Sequence, residues 1–409
     1  MRFADALAQV EAREEPSLKV AQALLEARGD DLERLVSSAD RRRREQVGDE
    51  VTFVVNRNIN FTNVCTKRCH FCAFSDHVQS GRGYLLPRTE IVRRAREAEA
   101  MGATEICIQA GLAPELDADE YLAITAAVKE AVPSLHLHAW SPEELKHGAR
   151  RSRRSLRTLI EQLKKAGLDS VPGTSAEILV DTVRKKLAVG RITTEQWIEV
   201  IETVHSLGIR TTATMMFGHI ESAREQAIHL LTLRSIQART GGFTEFVPLA
   251  FVHEEAPLFA DQSGVRPGPS DAERLAVYAT SRLVLGDLIP NLQVSWVKEG
   301  DQRTKKLLEA GANDLGGTLI NESISTAAGA PFGQLKTPEE LIGLAASEGR
   351  QAVQRDTLYR PTEATDSSSW RTDYGDFFTL RASDAFAYRP AGKASQSARV
   401  STSQAKPRR

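Results

Sequence analysis

Cysteine is scarce in this chain, four residues in 409, too few for a disulfide scaffold. An excess of charge is also lacking. The net charge of −1 leaves no global field to draw in nucleic acid or an acidic membrane. No apolar run approaches the length of a membrane-spanning helix. The first twenty residues, MRFADALAQVEAREEPSLKV, are charged throughout and have no apolar signal core. The expectation is a soluble cytoplasmic protein with neither nucleic acid nor membrane as partner. What is present, 41% hydrophobic and 26% charged residues, suits a globular chain with a large core. The Arg-rich runs 40–46 and 149–157 are expected to be solvated helix faces.

The first 48 or so residues read as helices with no strand signal. From Val51 β-rich runs alternate with amphipathic helices. VTFVVNRNINFT, TEICIQAG, LHLHAW, LDSVPG, IRTTATMMFG, FTEFVPLAF, LQVSWV and DLGGTLI are eight expected strands. Between them lie helix patterns such as Leu156, Leu159, Ile160 and Leu163, at i, i+3, i+4 and i+7. AGL, LGI and AGA place glycines at helix ends. The fold class is therefore α/β, a parallel sheet with right-handed crossovers, and eight units predict a closed (β/α)8 TIM-type barrel, with an incomplete barrel as the alternative because the fourth and eighth strands carry the weakest signals. The expected organisation is a helical segment 1–50, a barrel 51–360 and a C-terminal tail 361–409. The tail, Ser-, Lys- and Arg-rich from Ala391, is expected to be at least partly disordered. Aromatics between Trp370 and Tyr388 give its earlier part a means of packing on the barrel.

Three of the four cysteines fall within eight residues, Cys65, Cys69 and Cys72, as C-x3-C-x2-C. They occupy the loop after the first strand, on the barrel face where active sites form. Three thiolates can each hold one iron of a cubane cluster and leave the fourth iron open. A structural zinc would need a fourth ligand, for which His70 and His77 are candidates, yet no second C-x2-C pair exists. Spacing alone favours the iron–sulfur cluster and leaves zinc as the alternative. Cys107 alternates with apolar neighbours in the second strand and reads as core.

Strand phase supplies further candidates. His136 and His138 share one face of the third strand. If that face is inward, they are candidates to bind a carboxylate or phenol; otherwise they form a hydrogen-bonded pair. Thr212, Thr214 and Met216 share a face of the fifth strand, with His219 and Glu221 at its C-terminal end. Glu245 and His253 flank the sixth. His136, His138, His219 and Glu245 are the catalytic candidates.

C-x3-C-x2-C with the aromatic Phe71 before its last cysteine resembles the signature of the radical S-adenosylmethionine (SAM) enzymes. The resemblance implies Cys65, Cys69 and Cys72 as ligands of a 4Fe-4S cluster, with SAM chelating the open iron. It also implies Phe71, Gln109, Gly111 and Glu177 as cofactor-binding residues. Gln109–Gly111 stand where the family has a Gly-Gly turn for the methionyl amine, with Ala110 replacing one glycine. Glu177 resembles an acid that binds the adenosyl ribose, although a helix N-terminal acid is an equal reading of the residue itself.

RNINFTNVC, HAWSPEEL, AGLDSVPGTSAEIL, TTATMMFGHIE, RTGGFTEFVPLAFVHEEAPL and NDLGGTLINESISTAAGA together resemble one family within these enzymes. It is the tyrosine-using subunit of FO synthase. The implied reaction cleaves L-tyrosine and joins its 4-hydroxybenzyl group to 5-amino-6-(D-ribitylamino)uracil in biosynthesis of the deazaflavin FO and coenzyme F-420. Implied partners are those two substrates, a second radical SAM subunit that closes the deazaflavin ring, and an electron donor such as ferredoxin or flavodoxin. The sister enzymes of futalosine-type menaquinone synthesis, and a zinc-stabilised non-catalytic barrel, are the alternative readings.

Overall fold

The structure, a computed structural model, describes residues 1–261, 264–368 and 386–388. Parallel strands circle one axis. The first runs Val51–Val54 and, past an irregularity at Val55, Asn56–Ile59. The second to sixth are Glu105–Ile108, His136–Ala139, Ser170–Val171, Arg210–Phe217 and Phe243–Ala250, in that spatial order. Parallel bridges from Phe246 to Leu292 and from Gln293 to Asp314 carry the pairing through a seventh position to the eighth strand, Asp314–Gly317. That strand pairs in parallel with the first, so the barrel closes.

The expected strand LQVSWV is reduced to the bridging residues 292–293, because the helix Trp296–Glu309 begins almost at once. A ninth strand, Ala352–Arg355, was not foreseen. It lies parallel along Val51–Val54, so the second barrel strand pairs only with the upper half of the first, Asn56–Ile59.

The strands alternate as a closed barrel requires. Ile106, Ile108, Leu137, Ala139, Ala213, Met215 and Phe217 pack outward against Tyr121, Ile160, Leu163, Trp197, Ile201 and Leu230 of the helices. Inward positions carry Glu105, Cys107, His138, Thr212, Thr214, Met216 and Glu245 around a cavity. The barrel axis is thus polar, and the hydrophobic core is the sleeve between strands and helices.

The N-terminal helices Phe3–Glu11, Leu18–Leu25 and Asp30–Val47 pack on the barrel helices Ala223–Thr240 and Asp271–Leu285. The first Arg-rich run is not simply a solvated face. Arg42 and Arg43 are buried, and Arg42 donates to the Val10 carbonyl at 3.1 Å while Arg43 pairs with Asp40 at 2.7 Å. The second run is largely exposed. Of the tail, 361–368 and 386–388 are described, and the expected disorder falls on residues outside them. Ala387 bridges to Tyr84, and Tyr388 donates from its hydroxyl to Glu115 at 2.6 Å. Among the described residues no helix is long and apolar enough to cross a membrane.

Candidate active site

A cavity of about 420 Å3 opens at the C-terminal ends of the strands. Cys65, Cys69 and Cys72, all free and half-buried, line its mouth. Their loop is fastened on three sides. Val64–Cys65 pairs with Asp76–His77, and Arg68–Cys69 pairs with Ala188–Val189. Thr66 N–H donates to the Leu112 carbonyl at 3.0 Å. Gly111 packs so tightly on this loop that a Cβ there would lie 2.3 Å from the Val64 carbonyl oxygen. The glycine therefore serves the approach of two backbone segments.

His70 and His77 do not line the cavity, and His77 is exposed. Cys107 does line it, which corrects its reading as plain core; its sulfur accepts from Gln109 Nε2 at 3.3 Å. Among the described residues no three ligating side chains converge closely enough to hold a single ion.

Beside the thiols lies an ion network that sequence reasoning missed. Arg191 contacts Cys69 Sγ at 3.6 Å, donates to Glu143 at 3.3 Å and pairs with Glu177. Its guanidinium also lies over the Phe71 ring, 5.6 Å from the centroid. Lys67 pairs with Glu143 at 3.2 Å. Glu177 adopts φ 41° and Ser175 φ 66°, backbone strain of the kind that collects at functional sites. Gln109 accepts from Thr174 Oγ1 at 3.1 Å. The Ala110 N–H donates to Glu144 at 3.2 Å.

Glu144 belongs to a capping box with Ser141, and Pro142 starts the same helix, Pro142–Arg151. SPEE therefore places two adjacent acids at the rim, one as the cap and one free to reach Arg191. That pattern was the available signal for both.

The floor is polar. Glu105 accepts from Asn56 at 2.9 Å and Thr357 at 2.8 Å. Arg355, from the ninth strand, holds Asp314 with two bonds of 2.8 and 3.0 Å. His136 and His138 share the Ser170 hydroxyl at 2.7 and 2.6 Å. Of the two, only His138 lines the cavity, and burial pushes its pKa down to about 4, so it is a neutral imidazole at pH 7. His219 lies outside the cavity lining. One ring nitrogen faces Glu221 at 2.9 Å and the other the Met216 carbonyl at 3.0 Å, so it secures the turn after the fifth strand. Glu221 and His253 are likewise outside the lining.

Glu245 is buried, lines the cavity, and leaves Oε2 without a hydrogen-bond partner. Burial pushes its pKa up to about 7 from an ordinary 4.5. Below pH 4.5 both folded and unfolded chains carry this proton. Between pH 4.5 and 7 only the folded chain does, so stability falls as pH rises, by about 3 kcal/mol in all. Above pH 7 the loss is complete. Denaturation of wild type and Glu245→Gln should therefore give a stability difference that grows from pH 5 to 7.5 in favour of the variant. A difference independent of pH would show that the carboxyl titrates normally.

Two family models match the chain. The Radical SAM superfamily covers residues 59–231, and the CofH/MqnC C-terminal region covers 240–364. Over 337 residues the chain is 50% identical to FO synthase of Mycobacterium leprae (strain TN), which is 82% of this chain and 39% of that protein. It thus spans about two fifths of such relatives. Over 330 residues it is 47% identical to a protein of Methanopyrus kandleri named 5-amino-6-(D-ribitylamino)uracil–L-tyrosine 4-hydroxyphenyl transferase, 81% of this chain and 89% of that one.

In fold it is similar to methylornithine synthase, with TM-score 0.64, 17% identity, and coverage of 85% of this chain and 97% of that one. It is also similar to the FeFe-hydrogenase maturase HydG of Carboxydothermus hydrogenoformans, with TM-score 0.67, 16% identity, and coverage of 88% and 80%. The superfamily implies a 4Fe-4S cluster and SAM. With its N-terminal half matching one model and its C-terminal half the other, the chain belongs to the radical SAM superfamily, in the family marked by the CofH/MqnC C-terminal region.

Proposed function

We propose that this chain transfers the 4-hydroxybenzyl group of L-tyrosine to 5-amino-6-(D-ribitylamino)uracil, as a radical SAM transferase. The observation that carries the reading is the 47% identity over 89% of the Methanopyrus kandleri transferase. The residues present suit the cofactors. Three free thiols share one cavity wall, and neither histidine that could complete a zinc site reaches it. A cluster takes one thiolate per iron around a shared volume, whereas zinc needs four ligands at one point. Cys65, Cys69 and Cys72 would hold the cluster. Gln109, Gly111, Glu177 and Phe71, with Arg191, would frame the adjoining SAM. When bound, that pair supplies a 5′-deoxyadenosyl radical by one-electron reductive cleavage.

The rest is done by the chain itself. Arg191 holds Glu177 and Glu143 in fixed positions beside the thiol loop. Val247, Leu249, Phe251 and Val297 give the cavity an apolar wall suited to an aromatic ring. Asn56, Thr212, Glu245 and Gln293 offer polar groups for uracil amides, ribityl hydroxyls or the phenol. Enclosure by the loops excludes water from reactive species and keeps the two substrates oriented. On this reading ring closure falls to a second radical SAM centre, and reduction of the cluster to an electron donor such as ferredoxin or flavodoxin.

The test is anaerobic reconstitution with iron and sulfide, then incubation with reductant, SAM, tyrosine and the ribityl-diaminouracil. A tyrosine-derived adduct of the uracil, formed together with 5′-deoxyadenosine, is expected. Deoxyadenosine formed without the adduct would reject the substrate assignment and favour a sister reaction.

A further inference from the structure

Among the described residues four lysine or arginine side chains line the cavity, and three are paired: Lys67 with Glu143, Arg191 with Glu143 and Glu177, Arg355 with Asp314. The fourth is Lys298. It lies in the first turn of the helix Trp296–Glu309, just before the break at Gly300, whose φ is 68°. Its side chain is half-buried against the cavity and has no hydrogen bond or ion pair among the described residues. Desolvation of an ammonium with no hydrogen-bonded or paired anion is costly, and an arriving anion would relieve that cost.

The acid that acts most strongly on Lys298 is Glu322, which lines the same cavity from the loop after the eighth strand. The Glu322 carboxylate accepts from the Ile324 and Ser325 N–H groups at 2.9 and 3.0 Å, so it is fixed by its own loop. It makes no ion pair with Lys298. A free cation and a fixed anion on one wall match the two ends of an α-amino acid.

We infer that Lys298 anchors the carboxylate, and Glu322 the ammonium, of the L-tyrosine substrate. The inference rests on the transferase reading above. SAM carries the same headgroup chemistry, and position separates the two. Gln109, Glu144, Glu177 and Arg191 stand on the flank of the second to fourth strands. Lys298 and Glu322 stand on the opposite flank of the thiol loop, after the seventh and eighth. The apolar residues Val297 and Leu249 lie on that wall to receive the ring. Cys72 of the thiol loop lines the same cavity as Lys298.

The experiment measures equilibrium binding of L-tyrosine, tyramine and 3-(4-hydroxyphenyl)propionate to the reconstituted anaerobic enzyme, with SAM binding measured separately. Wild type should prefer tyrosine over either analogue by at least about tenfold. Lys298→Met should weaken tyrosine by about thirtyfold or more and erase its advantage over tyramine, while SAM binding stays unchanged. Lys298→Arg should recover part of the loss.

Equal binding of tyrosine and tyramine by wild type would overturn the inference, and this comparison requires no variant to fold. A loss of SAM affinity with tyrosine binding intact would overturn it too, by giving the headgroup site to SAM. Headgroup discrimination without any tyrosine–uracil adduct in the activity assay would support the subsite and reject the proposed acceptor.

Discussion

Replacing Cys65, Cys69 or Cys72 with serine, one at a time, is expected to lower bound iron after reconstitution from about four per chain to below about one. Tyrosine cleavage should fall to background. The size of the effect follows from how the loop is built. Each thiol would hold a different iron, so no neighbouring residue can take over a missing corner. Among the described residues the fourth cysteine, Cys107, sits one strand away with its sulfur engaged by Gln109. His70 and His77 stand outside the cavity.

On the proposed reading the cluster would supply the electron to SAM, so its loss should remove the entire acceleration, at least about a millionfold for an enzyme of ordinary proficiency. Iron analysis, visible absorbance and deoxyadenosine release would report it together. Cys107→Ser is the control and should retain its iron. If it loses iron as fully as the others do, the fourth thiol is a ligand and the open-iron reading is wrong.

The barrel and the thiol loop were legible in the sequence because both are local. The alternation of LHLHAW and TTATMMFG encodes which residues face the axis, and C-x3-C-x2-C is complete within eight residues. Strand phase grouped His136 with His138, and Thr212 with Thr214 and Met216, on one face of their strands, but left open which face turned inward; His138, Thr212, Thr214 and Met216 line the cavity. It could not place His219, which lies beyond the end of its strand, where a turn decides the direction of the side chain.

The ninth strand was not legible for a related reason. AVQR has one β-branched residue and owes its conformation to pairing with Val51–Val54, some 300 positions earlier. Arg42 and Arg43 read as surface because a helical charge run is usually solvated; here the neighbouring N-terminal helix supplies a carbonyl for one of them. Lys298 sits in a short run, WVKEGDQRTKK, whose charges look alike in sequence. Only the break at Gly300 separates it from Lys305 and the exposed Lys306 of the same helix.

Arg191 gives the second large expectation, and it concerns stability as well as catalysis. The guanidinium is shared by Glu143, which is buried, and by Glu177, which is half-buried, and it also touches Cys69 and covers Phe71. Arg191→Met keeps most of the apolar stem and removes the charge. It leaves Glu177 without its cation and Glu143 with Lys67 and the Ile192 N–H alone. Breaking a buried pair by deleting one partner costs about 3–5 kcal/mol. The strained turn at Ser175–Glu177 should loosen with it, since Arg191 clamps that turn to the thiol loop.

Chemical denaturation of the reconstituted protein would measure the loss, and SAM affinity should weaken in parallel. Glu177→Gln in the Arg191→Met background should then restore part of the stability, because it removes the carboxylate left without its cation. It should not restore SAM binding, which would still lack the acid. If both substitutions instead add independently in stability, Arg191 and Glu177 do not form an energetic unit. The thiol loop would then owe its shape to its backbone pairing with Asp76–His77 and Ala188–Val189 alone.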